Sequence, residues 1–218
     1  MSAVAVVLGV GPGVGLAVAG RFARGGYALA MMARRSDALA EYTQTLQASG
    51  AIAQGFAVDM GDTAAIRSAL QSVNDTMGAP EVLVYNAAAY SPGLPSELDA
   101  EQLLDSFRVN VVGAMAAAQQ VIPQMRAQRR GTILFTGGGL ALYPSAQYAA
   151  LSIGKGGIRS LALMLAAELA PDGIHVATVT IAGGVQPGTH FDPDTIAETY
   201  WTLHTQPAGS WETEIVYR

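Results

Sequence analysis

The stretch AVAVVLGVGPGVGLAVAG at positions 3–20 constrains the fold of this chain more than any other. A short apolar run at 3–8 breaks into Gly9, Gly11, Gly13 and Gly15, and apolar residues resume with helical spacing at 16–23. That order predicts a strand, a tight glycine turn and a helix start, with Val14 among the loop residues. Glycine takes positive φ freely and lets backbone N–H groups come close to an anion, because it has no Cβ. A helix N-terminus adds unpaired N–H donors and the positive end of the helix dipole. A glycine cluster alone also fits a flexible turn. A strand before it, a helix after it and continued alternation of the two beyond turn it into a dinucleotide site.

Composition narrows the partners. The chain has 218 residues, half of them hydrophobic and without internal repeats, which predicts one domain over 1–218 with a substantial core. With 13% charged residues and a net charge of -5, it lacks the basic face that nucleic acid or an anionic membrane surface requires. The absence of cysteine excludes disulfides, a thiol nucleophile and a zinc–thiolate site, and fits a cytoplasmic protein. The apolar run at 158–170 carries Arg159 and Glu168 and reads as too short to cross a bilayer. The glycine-interrupted N-terminus lacks the basic region of a signal peptide.

Further apolar runs predict strands at 28–33, 51–58, 82–85, 131–135, 175–181 and 211–217. Between them, helical patterns run at 37–48, 63–77, 99–128 and 145–170, with a short helix ending at Leu203. The second strand ends in Arg34, Arg35 and Ser36, where an NAD enzyme places a carboxylate for the ribose 2′-hydroxyl. Two guanidinium groups and a hydroxyl suit a phosphate instead, so the reading favours NADP over NAD. The plainer alternative is a solvated basic turn with Ser36 as N-cap of the next helix. Asp62 and Asp192 are placed to cap the helices that follow them. His190, Asp192 and Asp194 could be taken for a metal site, but no further ligand cluster supports one. His175 reads as a packing residue at a strand end.

Taken as Gly9, Gly13 and Gly15, the loop is GxxxGxG, and here the chain resembles the short-chain dehydrogenase/reductase family over nearly its whole length. Leu8 stands where the family usually has Thr. The resemblance implies a doubly wound α/β (Rossmann) fold: a seven-stranded parallel sheet in the order 3-2-1-4-5-6-7 with helices on both faces. It implies pairing into a homodimer or homotetramer through the helices at 99–128 and 145–170. It also implies a small carbonyl or alcohol as substrate. By the same resemblance Asp59, followed by Met60, bonds the adenine amino group. Asn86 and Ala87 brace the sheet and pass under the nicotinamide ribose, in a segment Tyr85-Asn86-Ala87-Ala88 that replaces the family's Asn-Asn-Ala-Gly. Asn110, within Phe107-Arg108-Val109-Asn110-Val111, matches a structural and catalytic asparagine.

Active members place a Ser beyond the fifth strand, and a Tyr four residues before a Lys on the following helix. The run Lys155-Gly156-Gly157-Ile158-Arg159-Ser160-Leu161 aligns Lys155 with that lysine. In the same register Leu151 stands at the Tyr position and Gly138 at the Ser position, so both hydroxyls are missing. A shifted register takes Tyr148 as the acid with Thr136 upstream, seven residues before Lys155 and on the same helix face. Ser152 is a third candidate hydroxyl, and Tyr148 also reads as an ordinary amphipathic tyrosine near a helix start. Ala182-Gly183 occupies the family's Pro-Gly position, and only one short helix stands where the family often inserts a lid. Two functions follow. One is NADP-dependent hydride transfer to or from a small carbonyl or alcohol; the other is a nucleotide-binding sensor or structural protein with little activity. The first is the preferred expectation.

Overall fold

A computed structural model describes residues 2–218. Seven parallel strands form one sheet in the order β3-β2-β1-β4-β5-β6-β7. They are β1 (Val4–Leu8), β2 (Ala28–Ala33), β3 (Ala53–Ala57), β4 (Pro80–Tyr85), β5 (Gly131–Thr136), β6 (Ile174–Ile181) and β7 (Glu214–Tyr217). Every residue of β1, β2, β5 and β6 is buried, as strands covered by helices on both faces must be; β1 and β2 read as unbroken apolar runs, while β5 and β6 also bury Thr132, Thr136, His175, Thr178 and Thr180. The helices are α1 (Val14–Arg24), α2 (Ser36–Ala48), α3 (Thr63–Met77), α4 (Ala100–Phe107), α5 (Gly113–Gln128), α6 (Ala149–Leu169) and α7 (Pro193–His204). Alternating strand residues feed two cores, one on each face: Val6, Leu8 and Leu83 pack with Ile122 and Ile158, and Val7, Leu29 and Val84 pack with Phe22 and Tyr200. The expected strand order is the observed one.

Capping chemistry sets several boundaries. Asp62 accepts the N–H groups of Ala64 and Ala65 at 2.9 and 3.0 Å, so α3 starts where expected. Asp192 likewise accepts from Asp194 N–H at 2.8 Å and also from Gly188 N–H at 2.6 Å. Its oxygens are thus committed to backbone, and no group of His, Cys, Asp or Glu among the described residues is arranged to hold a metal. Ser36 is not the cap of α2: Arg35 holds that position, and no side chain bonds the helix end.

Two helices depart from the sequence reading. The pattern at 99–128 is one rod in outline, but Arg108–Val112 forms a wider π-turn between α4 and α5. There the N–H of Gly113 reaches back to the carbonyl of Arg108, and the carbonyl of Val109 accepts the Tyr85 hydroxyl at 2.6 Å. Helix α6 begins at Ala149 and not at Ser145, because 145–148 is a turn, closed by Tyr148 N–H to Ser145 C=O at 3.1 Å and held in place by its neighbours. Gly93 N–H donates to Gln147 C=O at 2.9 Å, and the Ser152 hydroxyl folds back onto the backbone of Ser145. With the turn after it, Ala149–Asp172 is long and apolar enough by length and composition to cross a membrane, contrary to the estimate from the shorter run. Half of that window is buried inside the fold, where Ile158, Leu161 and Ala162 pack in the core.

At the N-terminal ends of the strands, His204 joins Tyr27 (2.7 Å from Nε2) to Thr132 (3.0 Å from Nδ1). His175 stacks on Trp211, and its buried Nδ1 has no hydrogen-bond partner among the described residues. Burial lowers the pKa of both imidazoles from the ordinary 6.5. Between the lowered values and 6.5 the unfolded chain binds more protons than the folded one, so stability is complete above 6.5 and declines as pH falls through that window. Urea midpoints are expected to be lower at pH 5.5 than at pH 7.5, before the carboxylates titrate. Identical midpoints at the two pH values would remove the histidines from this role.

Candidate functional site

The loops at the C-terminal ends of the strands gather most of the candidate residues, and they converge where the chain order reverses between β1 and β4. Gly9 has φ +84°, and its N–H and that of Val10 both donate to Met32 C=O at 2.9 and 3.0 Å. A Cβ on Gly15 would lie 2.6 Å from Gly9 C=O and 2.9 Å from the Asn86 amide, so the third glycine lets α1 approach the turn. Gly11 and Gly13 face open space. The N-cap, Gly13, carries no capping side chain, and the first turn of α1 has no acid. The first backbone bonds are Leu16 N–H to Gly11 C=O and Ala17 N–H to Gly13 C=O, both 3.2 Å. Among the described residues, the N–H groups of Gly11, Gly13, Val14 and Gly15 thus point to no backbone acceptor.

From this turn a cleft of about 670 Å³ extends past the exits of β2, β3 and β4. Arg34 and Arg35 line it, both exposed and neither in an ion pair among the described residues. Asp59 and Met60 line it further along; one Asp59 oxygen accepts from Gly61 N–H at 2.9 Å, and Met60 is buried. Ser36 faces a separate groove on α2, away from this cleft. Asn86 and Ala87 form the floor. The Asn86 amide donates to Gly9 C=O at 2.8 Å, and its oxygen accepts from the Thr136 hydroxyl at 2.9 Å, tying the β4 and β5 exits to the turn. Ala88 keeps a negative φ, so the absent glycine leaves no strain there.

Asn86 and Ala88 also line a second cleft, of about 770 Å³, that continues the first. Lys155 lines it, only 9% exposed, with Nζ donating to Thr136 C=O at 2.8 Å. Burial pulls its pKa down from 10.5 to about 8. Leu151 lines the same cleft one turn earlier, and Gly138 lies beside the lysine stem, where an added Cβ would be 3.3 Å from Lys155 Cε. The Thr136 hydroxyl is committed to Asn86 and to the buried Tyr200 at 2.7 Å.

Asn110 is 1% exposed in the π-turn. Its amide bonds both backbone groups of Ala89, at 3.2 and 3.3 Å, and the Ser106 hydroxyl at 3.0 Å. It pins the loop after β4. Tyr148 and Ser152 do not join Lys155. Because α6 starts at Ala149, Tyr148 is the residue before the helix, its ring against Tyr90 at 5.2 Å, outside the linings of both clefts. Ser152 is used by Ser145. Two tyrosines were missed. Tyr85 supports the π-turn, and its only signal was an aromatic in place of the family's first asparagine. Tyr143 lines the second cleft and is 75% exposed, with no signal beyond its place after β5.

A short chain dehydrogenase profile matches residues 3–192. The chain belongs to the short chain dehydrogenase family. Members of this family are oxidoreductases that use NAD(P) and act on small molecules. Among relatives, this short chain dehydrogenase is 28% identical over 207 residues to 2,3-dihydro-2,3-dihydroxybenzoate dehydrogenase of Bacillus subtilis (strain 168), covering 95% of this chain and 75% of that one. It is 30% identical over 176 residues to 2-(S)-hydroxypropyl-CoM dehydrogenase 3 of Xanthobacter autotrophicus (strain ATCC BAA-1158 / Py2), covering 81% and 69%. A solved metagenomic short-chain oxidoreductase in complex with NADP superposes with a TM-score of 0.88 at 26% identity, covering 98% of this chain and 96% of that one.

Proposed function

We propose that this short chain dehydrogenase is NADP-dependent and transfers hydride between the cofactor and a small carbonyl compound or alcohol. The observation that carries the reading is one continuous groove with Arg34 and Arg35, neither in an ion pair among the described residues, at one end and buried Lys155 at the other, joined through Asn86 and Ala88. A dinucleotide fits the residues present. The open faces of Gly11 and Gly13 and the N–H groups at the start of α1 that meet no backbone acceptor among the described residues suit a diphosphate, and Asp37, the first acid after β2, does not line the cleft beside the arginines. When bound, the cofactor supplies or takes the hydride.

The chain's own residues do the rest. The glycine turn holds the diphosphate, Arg34 and Arg35 hold the 2′-phosphate, and Asp59 and Met60 border the adenine. Asn86 and Ala87 support the nicotinamide ribose, which Lys155 bonds. Asn110 acts indirectly, fixing the loop through Ala89. Tyr148 keeps no part in this reading. Calorimetric titration is expected to give tighter binding of NADPH than of NADH, by about tenfold or more, the worth of one charged hydrogen bond. Equal affinities would overturn the NADP assignment.

A further inference from the structure

Lys155 is the only lysine in the sequence, beside eleven arginines and three histidines. The fold puts this single ammonium inside, on the wall of the second cleft, with Nζ donating to Thr136 C=O at 2.8 Å and two N–H directions left. No Asp, Glu or His lines that cleft. The other groups there able to give a proton are few. The Thr136 hydroxyl is bonded to Asn86 and Tyr200, Arg218 offers a guanidinium, and Tyr143 stands at the exposed mouth. Glu214 on β7 is held by Arg159 and by the Thr180 hydroxyl, outside the cleft lining. On α6 itself, the residue one turn before the lysine is Leu151, which carries no exchangeable proton and faces the same space.

We infer that Lys155 is itself the acid and base at the reacting oxygen of an apolar carbonyl compound or alcohol held in the second cleft. This rests on the hydride-transfer reading above. Leu140, Leu142, Leu151, Ile181 and Val185 line the cleft and set the apolar character of the substrate body. In reduction, a bound reduced nicotinamide would supply hydride to the carbonyl carbon, and the C=O π pair would move to oxygen. The oxygen takes a proton from the Lys155 ammonium, whose N–H bond breaks to leave a neutral amine, and water at the cleft mouth reprotonates that amine. Oxidation runs the same exchange backwards. Desolvation holds the ammonium at about 8, so it yields a proton more readily than a surface lysine.

Because the lysine is unique, protein labelled with [6-13C]lysine shows one side-chain signal. Its shift, followed from pH 6 to 11 without nucleotide, is expected to titrate near 8; a midpoint at 10 or above overturns the inference. In the second arm, wild-type protein reduces 1-phenyl-1,2-propanedione with NADPH, and kcat/KM falls tenfold per pH unit above the lysine midpoint. Lys155→Arg keeps the charge but releases no proton, so it is expected to bind NADPH by fluorescence while kcat drops by about a hundredfold and the pH limb disappears. Lys155→Met gives the same loss of turnover if arginine does not fit. A limb that persists in Lys155→Arg, or that vanishes in Tyr143→Phe, overturns the assignment. Wild-type protein that binds NADPH and leaves the dione unreduced overturns this inference alone. Protein that binds neither NADPH nor NADH overturns the hydride-transfer reading with it.

Discussion

Gly9→Ala is expected to lower folding stability by about 3 kcal/mol, combining the cost of a left-handed φ for an L-residue with overpacking. The position is strained twice over: φ is +84°, and a Cβ would stand 2.4 Å from Ala87 N and 2.5 Å from its Cα. Both obstacles are backbone, with no flexible side-chain end to swing aside. Gly11 gives the contrast. Its φ is not positive and a Cβ there meets nothing within 4 Å, so Gly11→Ala is expected to stay within about 0.5 kcal/mol of the parent. That Cβ would project into the first cleft, however, and should weaken NADPH binding. Urea unfolding and nucleotide titration of the two variants separate a structural glycine from a ligand-facing one. A Gly9→Ala protein as stable as the parent would refute the packing argument.

Arg34→Ala/Arg35→Ala is expected to weaken NADPH binding by about a hundredfold while leaving NADH binding unchanged. Each charged hydrogen bond to a phosphate is worth at least about tenfold, and two guanidinium groups line this end of the cleft. Both side chains are exposed, so salt screens them and the preference for NADPH should narrow as ionic strength rises. No carboxylate neutralises either arginine among the described residues, so their field is directed to the cleft. An equal loss for both nucleotides would mean that the arginines hold the diphosphate or the loop instead.

The inner strands were legible because a sheet covered on both faces is written mainly in apolar residues, and the glycine turn because its spacing serves geometry. Asp62 was legible as a cap because the donors it satisfies are two and three residues away. What failed depended on distant partners. The helical pattern runs from 145, yet Gly93, remote in sequence, bonds Gln147 C=O and the helix starts only at Ala149, which takes Tyr148 off the face it was expected to share with Lys155. Ser36 sits beside two cleft arginines but turns onto α2. Lys155 was placed by alignment alone. Its burial, its bond to Thr136 C=O and the companion Tyr143 needed the packing of α6 against the β5 exit.

The π-turn at Arg108–Val112 has a consequence for how the two helices it joins are phased. One extra residue in a turn rotates everything after it by about 100° relative to an unbroken α-helix. A stripe of apolar residues counted along α4 therefore does not carry over into α5, whose inward face of Ala114, Ala117, Ala118 and Val121 starts its own count at Gly113. The buried Tyr85 hydroxyl, which donates to the Val109 carbonyl, ties the end of β4 to that offset. Residue 85 at the end of a strand thereby sets which side of a helix some thirty positions later looks inward.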